Sequence, residues 1–357
     1  MREVYVFSTD PQSNRGGIAN AVRGFLTCLE LRGIHAVVFV THDPRRGKLG
    51  NTIQFAKSTA HFLFRYVHSS LFRGNEKPVI YLHPGPKGSL LRKLLLAEIA
   101  NALNLAVVTH HHSTAFYDYL SQRTVWSRAL RRLSKLSRLN LVLSDWWLEN
   151  YQRLGISNLA VVPNCVSLGA ADVRTRSPGR SPRILSVGRL VAGKNFDLLI
   201  RAYSLLNASS LLSIAGDGPE APTLRKLASE LSPQHPVEFL GWIAGDKKAD
   251  LYSRSDLFAL PSDNDSFGMV FIEALSHGCP VVIGPNPAVI SALSDLKGVF
   301  ITEDYSPESV ADAIRRALYT ELNRKDISDA CLERYGLANV SETLASTLFS
   351  SIKAPGP

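Results

Sequence analysis

A chain of 357 residues, 45% apolar and with a mean hydropathy of +0.01, has ample core for a globular protein and suits two domains. Its apolar runs are far too short to span a membrane and nothing at Met1 reads as a secretory leader. The four cysteines (Cys28, Cys165, Cys279, Cys331) lack paired spacing, which predicts reduced thiols in a cytosolic protein rather than a disulfide or zinc framework. The net charge of +9 is uneven: residues 1–174 carry 22 Lys and Arg against 10 Asp and Glu, and the remainder 18 against 21. A basic front half predicts a partner distinct from that of the back half. Nucleic acid is the generic partner, but the sequence carries no nucleic-acid motif. An anionic membrane face or a phosphate-bearing acceptor fits better.

Val4-Tyr5-Val6-Phe7 reads as a first strand, leading through Ser13-Asn14-Arg15-Gly16-Gly17 into a periodic helix from Ile18 to Leu31. Paired glycines at such a turn let a backbone approach a ligand closely, and a turn that merely needs positive φ is the plain alternative. No third glycine completes a dinucleotide fingerprint. His35 to Thr41 is a second strand. From Asn51 to Asn75, Phe62, Leu63, Phe64, Tyr66, Val67, Leu71 and Phe72 interleave with Arg65, His68 and Arg73. That pattern suits a helix lying in a membrane interface or, as we favour, a core helix.

Val79 to Leu82 is a strand, Ser89 to Leu103 a helix, and Leu105 to Thr109 a strand that delivers His110-His111-His112. On an extended segment His110 and His112 face one side and His111 the other, so the three cannot converge on one metal ion without a turn. No metal is expected. A histidine at a strand's carboxyl end sits instead where α/β sheets bind ligands. Arg123 to Arg138 carries six Lys or Arg and no acid, with Val125, Leu130, Leu133 and Leu136 available for a buried face. It is either a solvated helix face or a contact for anionic lipid, worth about 1 kcal/mol per basic residue near such a surface. Strands follow at Leu139 to Ser144 and Ala160 to Asn164. Ser167 to Pro182, rich in Gly, Ser, Pro and Arg, reads as a linker.

The second half opens with the strand Arg183 to Val187 and the turn Gly188-Arg189-Leu190-Val191-Ala192-Gly193-Lys194, before a helix from Phe196 to Leu206. Two cations beside free backbone donors are what a diphosphate requires, although exposed Arg and Lys are common. Leu211 to Ala215 ends in Gly216-Asp217-Gly218-Pro219, with a helix from Thr223, a strand at Val237 to Ile243 and a helix from Asp246 to Ser253. Strand Leu257 to Leu260 then enters the polar loop Ser262 to Asp265. Ser266 is the expected cap of a helix from Phe267 to His277, and Gly278 stops it before strand Pro280 to Ile283. Asp265 precedes that helix and Glu273 lies inside its apolar run. A carboxylate buried there needs a partner, which ligand hydroxyls would supply. The alternative is a wet stripe of Glu273, Ser276 and His277. Helices are expected at Ser306 to Tyr319 and Ser328 to Ser351.

Asp265, Phe267, Gly268, Glu273, Gly278, Pro280, Val281 and Val282 fall in register with a signature of two acids with seven residues between them, around a Phe-Gly pair. On these residues the chain resembles glycosyltransferase family 4, the retaining nucleotide-sugar transferases with a GT-B fold. The first acid is Asp265 where the family usually has Glu, and Cys165 stands where its Pro-Asn-Gly-Val turn has Gly. Gly188-Arg189-Leu190 with Lys194 resembles the family's pyrophosphate motif, and Gly216-Asp217-Gly218-Pro219 its architectural turn. Gly16-Gly17 and His112 match its first-domain loop and strand-end histidine. The resemblance covers nearly the whole chain and is more specific in the second half.

It implies an α/β fold of two Rossmann-like domains facing across a cleft: residues 1–168, a linker at 169–182, and a nucleotide-sugar domain at 183–337. The last helix, about 338–357, is expected to return to the first domain. Arg189, Lys194 and the helix start would stabilise the leaving diphosphate, Asp265 would bind sugar hydroxyls, Glu273 the ribose, and His112 would lie near the donor sugar. Gly16, Gly17, Gly188, Gly241, Trp242, Ile243, Ser266, Phe267, Gly268, Met269 and Val270 would complete the donor site. No cofactor or metal is implied beyond a UDP- or GDP-sugar co-substrate. The acceptor would be a glycan or a polyprenyl-linked acceptor, and the protein cytoplasmic, either free or peripheral on the inner face of the plasma membrane. Three alternatives stay open: a GT-B sugar-nucleotide epimerase, a non-catalytic nucleotide-sugar-binding homologue, and a nucleic-acid binder.

Overall fold

The structure is a computed structural model, described over residues 3–12, 17–43, 45–72, 77–166, 181–206, 210–231 and 237–353. The chain forms two compact units, Met1–Cys165 with Leu337–Pro357, and Val166–Gly336. All of the expected linker except Ser181 and Pro182 lies outside the described residues.

Unit 1 begins β1 (Val4–Thr9), α1 (Gly17–Leu31), β2 (Ala36–His42), α2 (Lys48–Phe72), β3 (Val79–Leu82), α3 (Gly88–Ala102) and β4 (Val107–His110). It continues α4 (Ala115–Ser121), α5 (Val125–Leu136), β5 (Leu139–Val142), α6 (Asp145–Arg153) and β6 (Leu159–Val161). The six strands form one parallel sheet in the order β2-β1-β3-β4-β5-β6. Strands β1, β3, β4 and β5 read as near-continuous apolar runs because helices cover both faces of a parallel sheet.

Unit 2 begins β7 (Arg183–Val187), α7 (Phe196–Ser204), β8 (Leu211–Ala215), α8 (Ala221–Leu231), β9 (Glu238–Gly241), α9 (Asp246–Arg254) and β10 (Leu257–Leu260). It continues α10 (Met269–Ser276), β11 (Val281–Ile283), α11 (Pro287–Leu293), β12 (Val299–Ile301), α12 (Pro307–Tyr319) and α13 (Arg324–Tyr335). Its parallel sheet runs β12-β11-β10-β7-β8-β9. The order reverses between β7 and β10, which pair at Leu257–Ile184 and Phe258–Leu185. That reversal is the topological switch point of a doubly wound sheet, where loops on the strands' carboxyl ends part and leave a crevice.

The chain then enters α14 (Leu337–Lys353), which packs in unit 1. Val340, Leu344 and Leu348 share a buried apolar cluster with Phe25, Cys28 and Leu29 of α1. The single helix expected from Ser328 to Ser351 is therefore two. Gly336 separates them in an extended conformation (φ −64°, ψ 148°), and a Cβ there would meet the Leu332 carbonyl oxygen at 2.4 Å.

The favoured reading of the Asn51 to Asn75 region, a core helix, holds for one face of the helix only. Helix α2 buries Phe62 edge-on against Tyr5 and Phe7, but Phe64 and Leu71 are 71% and 72% exposed. It covers the edge strand β2, so one row of its side chains reaches the sheet. In α5 the outcome is mixed: Leu130 and Leu133 are buried, whereas Val125 at its first turn is exposed. Among the described residues no helix is long and apolar enough to cross a membrane.

Candidate active site

Two loops flank the switch point of unit 2. The first leaves β7 at Gly188. It is held by Gly188 N–H to the Ala215 carbonyl (3.0 Å), Leu190 N–H to the Asp217 carbonyl (3.0 Å) and Glu220 N–H to the Leu190 carbonyl (3.1 Å). The Gly216-Asp217-Gly218-Pro219 turn thus acts as a backbone brace for the segment that carries Arg189. Arg189 is exposed, and no hydrogen bond or ion pair engages its guanidinium among the described residues. Five residues on, Lys194 lies just before α7.

The second loop leaves β10 at Pro261 and docks on the first. The Gly193 carbonyl accepts from Asp263 N–H (3.1 Å), Asn264 N–H (3.2 Å) and the Ser262 hydroxyl (3.0 Å). Gly193 has φ +81°, and a Cβ would meet Asp263 Oδ1 at 2.9 Å, so a side chain would be both strained and obstructed. From below, Asn286 Nδ2 donates to the carbonyls of Asp263 (3.2 Å) and Asp265 (3.1 Å), while its Oδ1 caps α11.

This docking brings Asp265 to Lys194. Nζ donates to Oδ1 at 2.5 Å, with the side chains 16% and 19% exposed respectively. Asp265 Oδ2 is buried without a partner. A buried carboxylate oxygen lacking a donor is costly.

Helix α10 starts later than expected. Ser266 is not its cap: Gly268 occupies that position at φ +79°, and a Cβ there would meet Phe271 Cδ2 at 2.5 Å. Phe267 is buried edge-on to Tyr335 and fixes the turn. Because Gly268 offers no side-chain cap, the N–H groups of Met269 and Val270 have no intrahelical acceptor and lie at the positive end of the helix dipole. An anion is the natural partner there.

Glu273, in the second turn of α10, is one-fifth exposed. Its Oε2 accepts from Lys248 Nζ (2.7 Å) and the Tyr252 hydroxyl (3.1 Å), both on α9. The alternative of a solvated stripe with Ser276 and His277 is excluded, since both of those are buried. Gly241 ends β9 with φ +70°, Trp242 is 50% exposed, and Ile243 is half-buried. Lys248, Tyr252 and Asn286 were not singled out by sequence. Only the i, i+4 spacing of Lys248 and Tyr252 hinted at a shared face.

In unit 1, Gly16 lies outside the described residues and Gly17 is the first residue of α1. Strand β4 delivers the histidines as its alternation requires. His111 turns to one side, its Nε2 3.1 Å from Asn140 Oδ1. His110 and His112 turn to the other, and the third imidazole beside them is His83, at the end of β3. His83 Nδ1 is 3.0 Å from His112 Nε2, and His110 lies between the Tyr81 hydroxyl (2.9 Å) and the Val162 carbonyl (3.0 Å). His112 Nδ1 and His83 Nε2 are buried and unpartnered. Whichever nitrogen donates between these two rings, one buried N–H remains without an acceptor.

Burial, then neighbouring positive groups, hold His83, His110 and His112 well below the usual histidine range. Ligand nitrogens of His83, His110 and His112 lie within 4.8 Å of one another, which invites a metal reading. The donor set fits a cation poorly: both His110 nitrogens are occupied, the set includes no carboxylate, and Lys93 is among the charges acting on His83. A hydrogen-bonded pair of neutral imidazoles, His83 and His112, packed against the His110 ring accounts for the geometry better.

The family model for group 1 glycosyl transferases matches residues 171–333. A GDP-mannose-dependent alpha-(1-6)-phosphatidylinositol monomannoside mannosyltransferase from Mycobacterium tuberculosis is 31% identical over 42% of this chain and 41% of its own length. The chain spans about two-fifths of the length of such relatives. An alpha-monoglucosyldiacylglycerol synthase from Streptococcus pneumoniae is 24% identical over 89% of this chain and 79% of its own. The crystal structure of Anabaena HepE in complex with UDP and glucose superposes with a TM-score of 0.71 at 19% identity, covering 98% of this chain and 100% of that one.

Two parallel six-stranded sheets, with acids and cations at a switch point, define an α/β protein of the GT-B fold. Over residues 171–333 the chain matches the group 1 glycosyl transferases, and over nearly its whole length it shares the fold of solved glycosyltransferases.

Proposed function

We propose that this protein is a retaining glycosyltransferase that moves a hexose or N-acetylhexosamine from a UDP- or GDP-sugar to a glycan acceptor without a metal ion. The observation that carries the reading is Asp265, whose Oδ1 is held by Lys194 while Oδ2 is buried and unpartnered beside an uncapped helix N-terminus. Sugar hydroxyls would satisfy Oδ2. Arg189, Lys194 and the N–H groups of Met269 and Val270 would take up the charge that develops on the departing diphosphate. With two cations and a helix dipole supplying that charge, no metal is needed for the leaving group. Glu273 would take the ribose hydroxyls. Gly241, Trp242 and Ile243 would border the base.

A lipid-linked acceptor is the finer proposal, supported by the names of the mycobacterial and streptococcal relatives. Arg128 and Lys135 of α5 and the exposed Leu49, Phe64 and Leu71 of α2 are the surfaces for peripheral contact with an anionic membrane on its cytoplasmic side.

A thermal-shift panel of UDP- and GDP-sugars, with UDP and GDP, in EDTA tests the reading. A specific binder raises Tm by mass action, with one nucleotide family shifting and the other not. No shift with any nucleotide would remove the donor assignment. Flotation with vesicles containing anionic lipid, compared with neutral vesicles, tests the membrane contact.

A further inference from the structure

We infer that Tyr252 and Lys248 are positioning residues that reserve one oxygen of Glu273 for a ligand's ribose hydroxyls, an inference that rests on the donor assignment above. The two side chains sit four residues apart on α9 and converge on a single atom. Lys248 Nζ and the Tyr252 hydroxyl both donate to Oε2, at 2.7 and 3.1 Å. Oε1 receives no hydrogen bond among the described residues. One carboxylate thus carries two unlike edges, one saturated by the protein and one left with its lone pairs.

The geometry on the protein side is rigid. Tyr252 is 1% exposed, and its ring is clamped edge-on between Phe258 of β10 (5.7 Å between centroids) and His277 at the end of α10 (5.9 Å). Phe258 in turn packs edge-on against Phe271 at 5.5 Å, two residues before Glu273. The hydroxyl that orients the carboxylate is therefore fixed by the same packing that fixes α10. Burial and the adjacent Glu273 push the phenol well above its ordinary value, so it stays a donor across the physiological range. Lys248 adds a charge-assisted hydrogen bond to the same oxygen, in a site about one-fifth exposed.

An oriented carboxylate with one vacant oxygen accepts from the hydroxyls of a ribose, and that oxygen is left without a donor if a hydroxyl is missing. Discrimination between ribose and deoxyribose is thus the property that Tyr252 and Lys248 control, beyond any contribution to stability.

The test is isothermal titration of UDP and GDP against their 2′-deoxy and 3′-deoxy counterparts, on the full chain and on Tyr252→Phe, Lys248→Met and Lys248→Arg. The wild-type chain should prefer its ribonucleotide by about tenfold. Tyr252→Phe keeps the ring and its packing and should cut that preference by about three- to tenfold, chiefly by weakening the ribonucleotide. Lys248→Met should act in the same direction, and Lys248→Arg should restore most of the preference. A lowered Tm with an unchanged ribose-to-deoxyribose ratio in both Tyr252→Phe and Lys248→Met would overturn the inference and leave the donor assignment standing. No binding of either ribonucleotide to the wild-type chain would overturn both.

Discussion

Lys194 Nζ stands 2.5 Å from Asp265 Oδ1, joining the loop after β7 to the loop after β10 across the switch point of unit 2. The contact does two jobs. It neutralises a carboxylate that is mostly buried, and it holds a cation at the strand ends where a diphosphate would bind. Lys194→Ala and Arg189→Ala should each lower kcat/KM by about 100- to 1000-fold, the range for a lost group facing developing charge. Steady-state kinetics with the cognate donor checks this, with far-UV circular dichroism to show that the fold is retained. Near-normal rates in both variants would remove the diphosphate role.

Gly268 fixes where the helix dipole points. With φ at +79° and Phe271 Cδ2 at 2.5 Å from an added Cβ, Gly268→Ala meets both backbone strain and a clash with a buried ring. The expected cost is about 1–3 kcal/mol, visible as a lower urea midpoint. Nucleotide affinity should fall further than stability does, since the N–H groups of Met269 and Val270 move with the turn.

Asn286 braces the acidic loop from beneath. Asn286→Ala removes the cap of α11 together with donors to the Asp263 and Asp265 carbonyls. A loss of about 1–2 kcal/mol in chemical denaturation is expected. Asp265 should then be less well placed, so KM for the donor rises. Unchanged KM alongside the stability loss would confine Asn286 to a structural role.

Lys93 makes unit 1 respond to pH. It is fully buried on α3, donates to Thr41 Oγ1, and burial lowers its pKa from 10.5 to about 7. Between those values the unfolded chain holds a proton that the folded chain does not, so stability rises with pH from about 7 to about 10.5 and is lost on descent. His111, lowered by burial to about 4, adds the same sign below its ordinary 6.5. Lys93→Met should flatten the rise above pH 7. At pH 7 it should stabilise the protein by on the order of 2–4 kcal/mol. Differential scanning calorimetry of both proteins from pH 6 to 10 checks the slope; parallel curves would contradict it.

The residues visible in the sequence were those whose placement is local. Gly188 to Lys194 and Asp265 to Glu273 each follow a strand directly, so an apolar run and its end sufficed to put them at a sheet edge. Strands β7, β8 and β10 were bounded as found because apolar runs stop abruptly there. Lys248, Tyr252 and Asn286 depend on pairings between elements 21 to 25 residues apart, which no local pattern encodes. The start of α10 was misplaced because Ser266 is a good cap in isolation, whereas the buried Phe267 and the left-handed Gly268 decide the turn. In α2 the periodicity was read correctly but not its exposure, since sequence does not reveal that the helix lies over a sheet edge. Of the histidine cluster, the split of His110 and His112 from His111 followed from strand alternation. The partnership with His83 needed β3 and β4 side by side.

Helix α14 completes the apolar cover of α1, yet it is translated only after all of Val166–Gly336. At about 5–20 residues per second the ribosome takes on the order of ten to thirty seconds to make that stretch. Throughout it, Phe25, Cys28 and Leu29 of a nascent unit 1 lack their partners Val340, Leu344 and Leu348. Unit 2 has no such debt and can close on itself as it emerges. The amino-terminal half is thus the last to be finished, and a premature stop after Gly336 should yield a well-formed unit 2 attached to a chaperone-dependent, aggregation-prone unit 1.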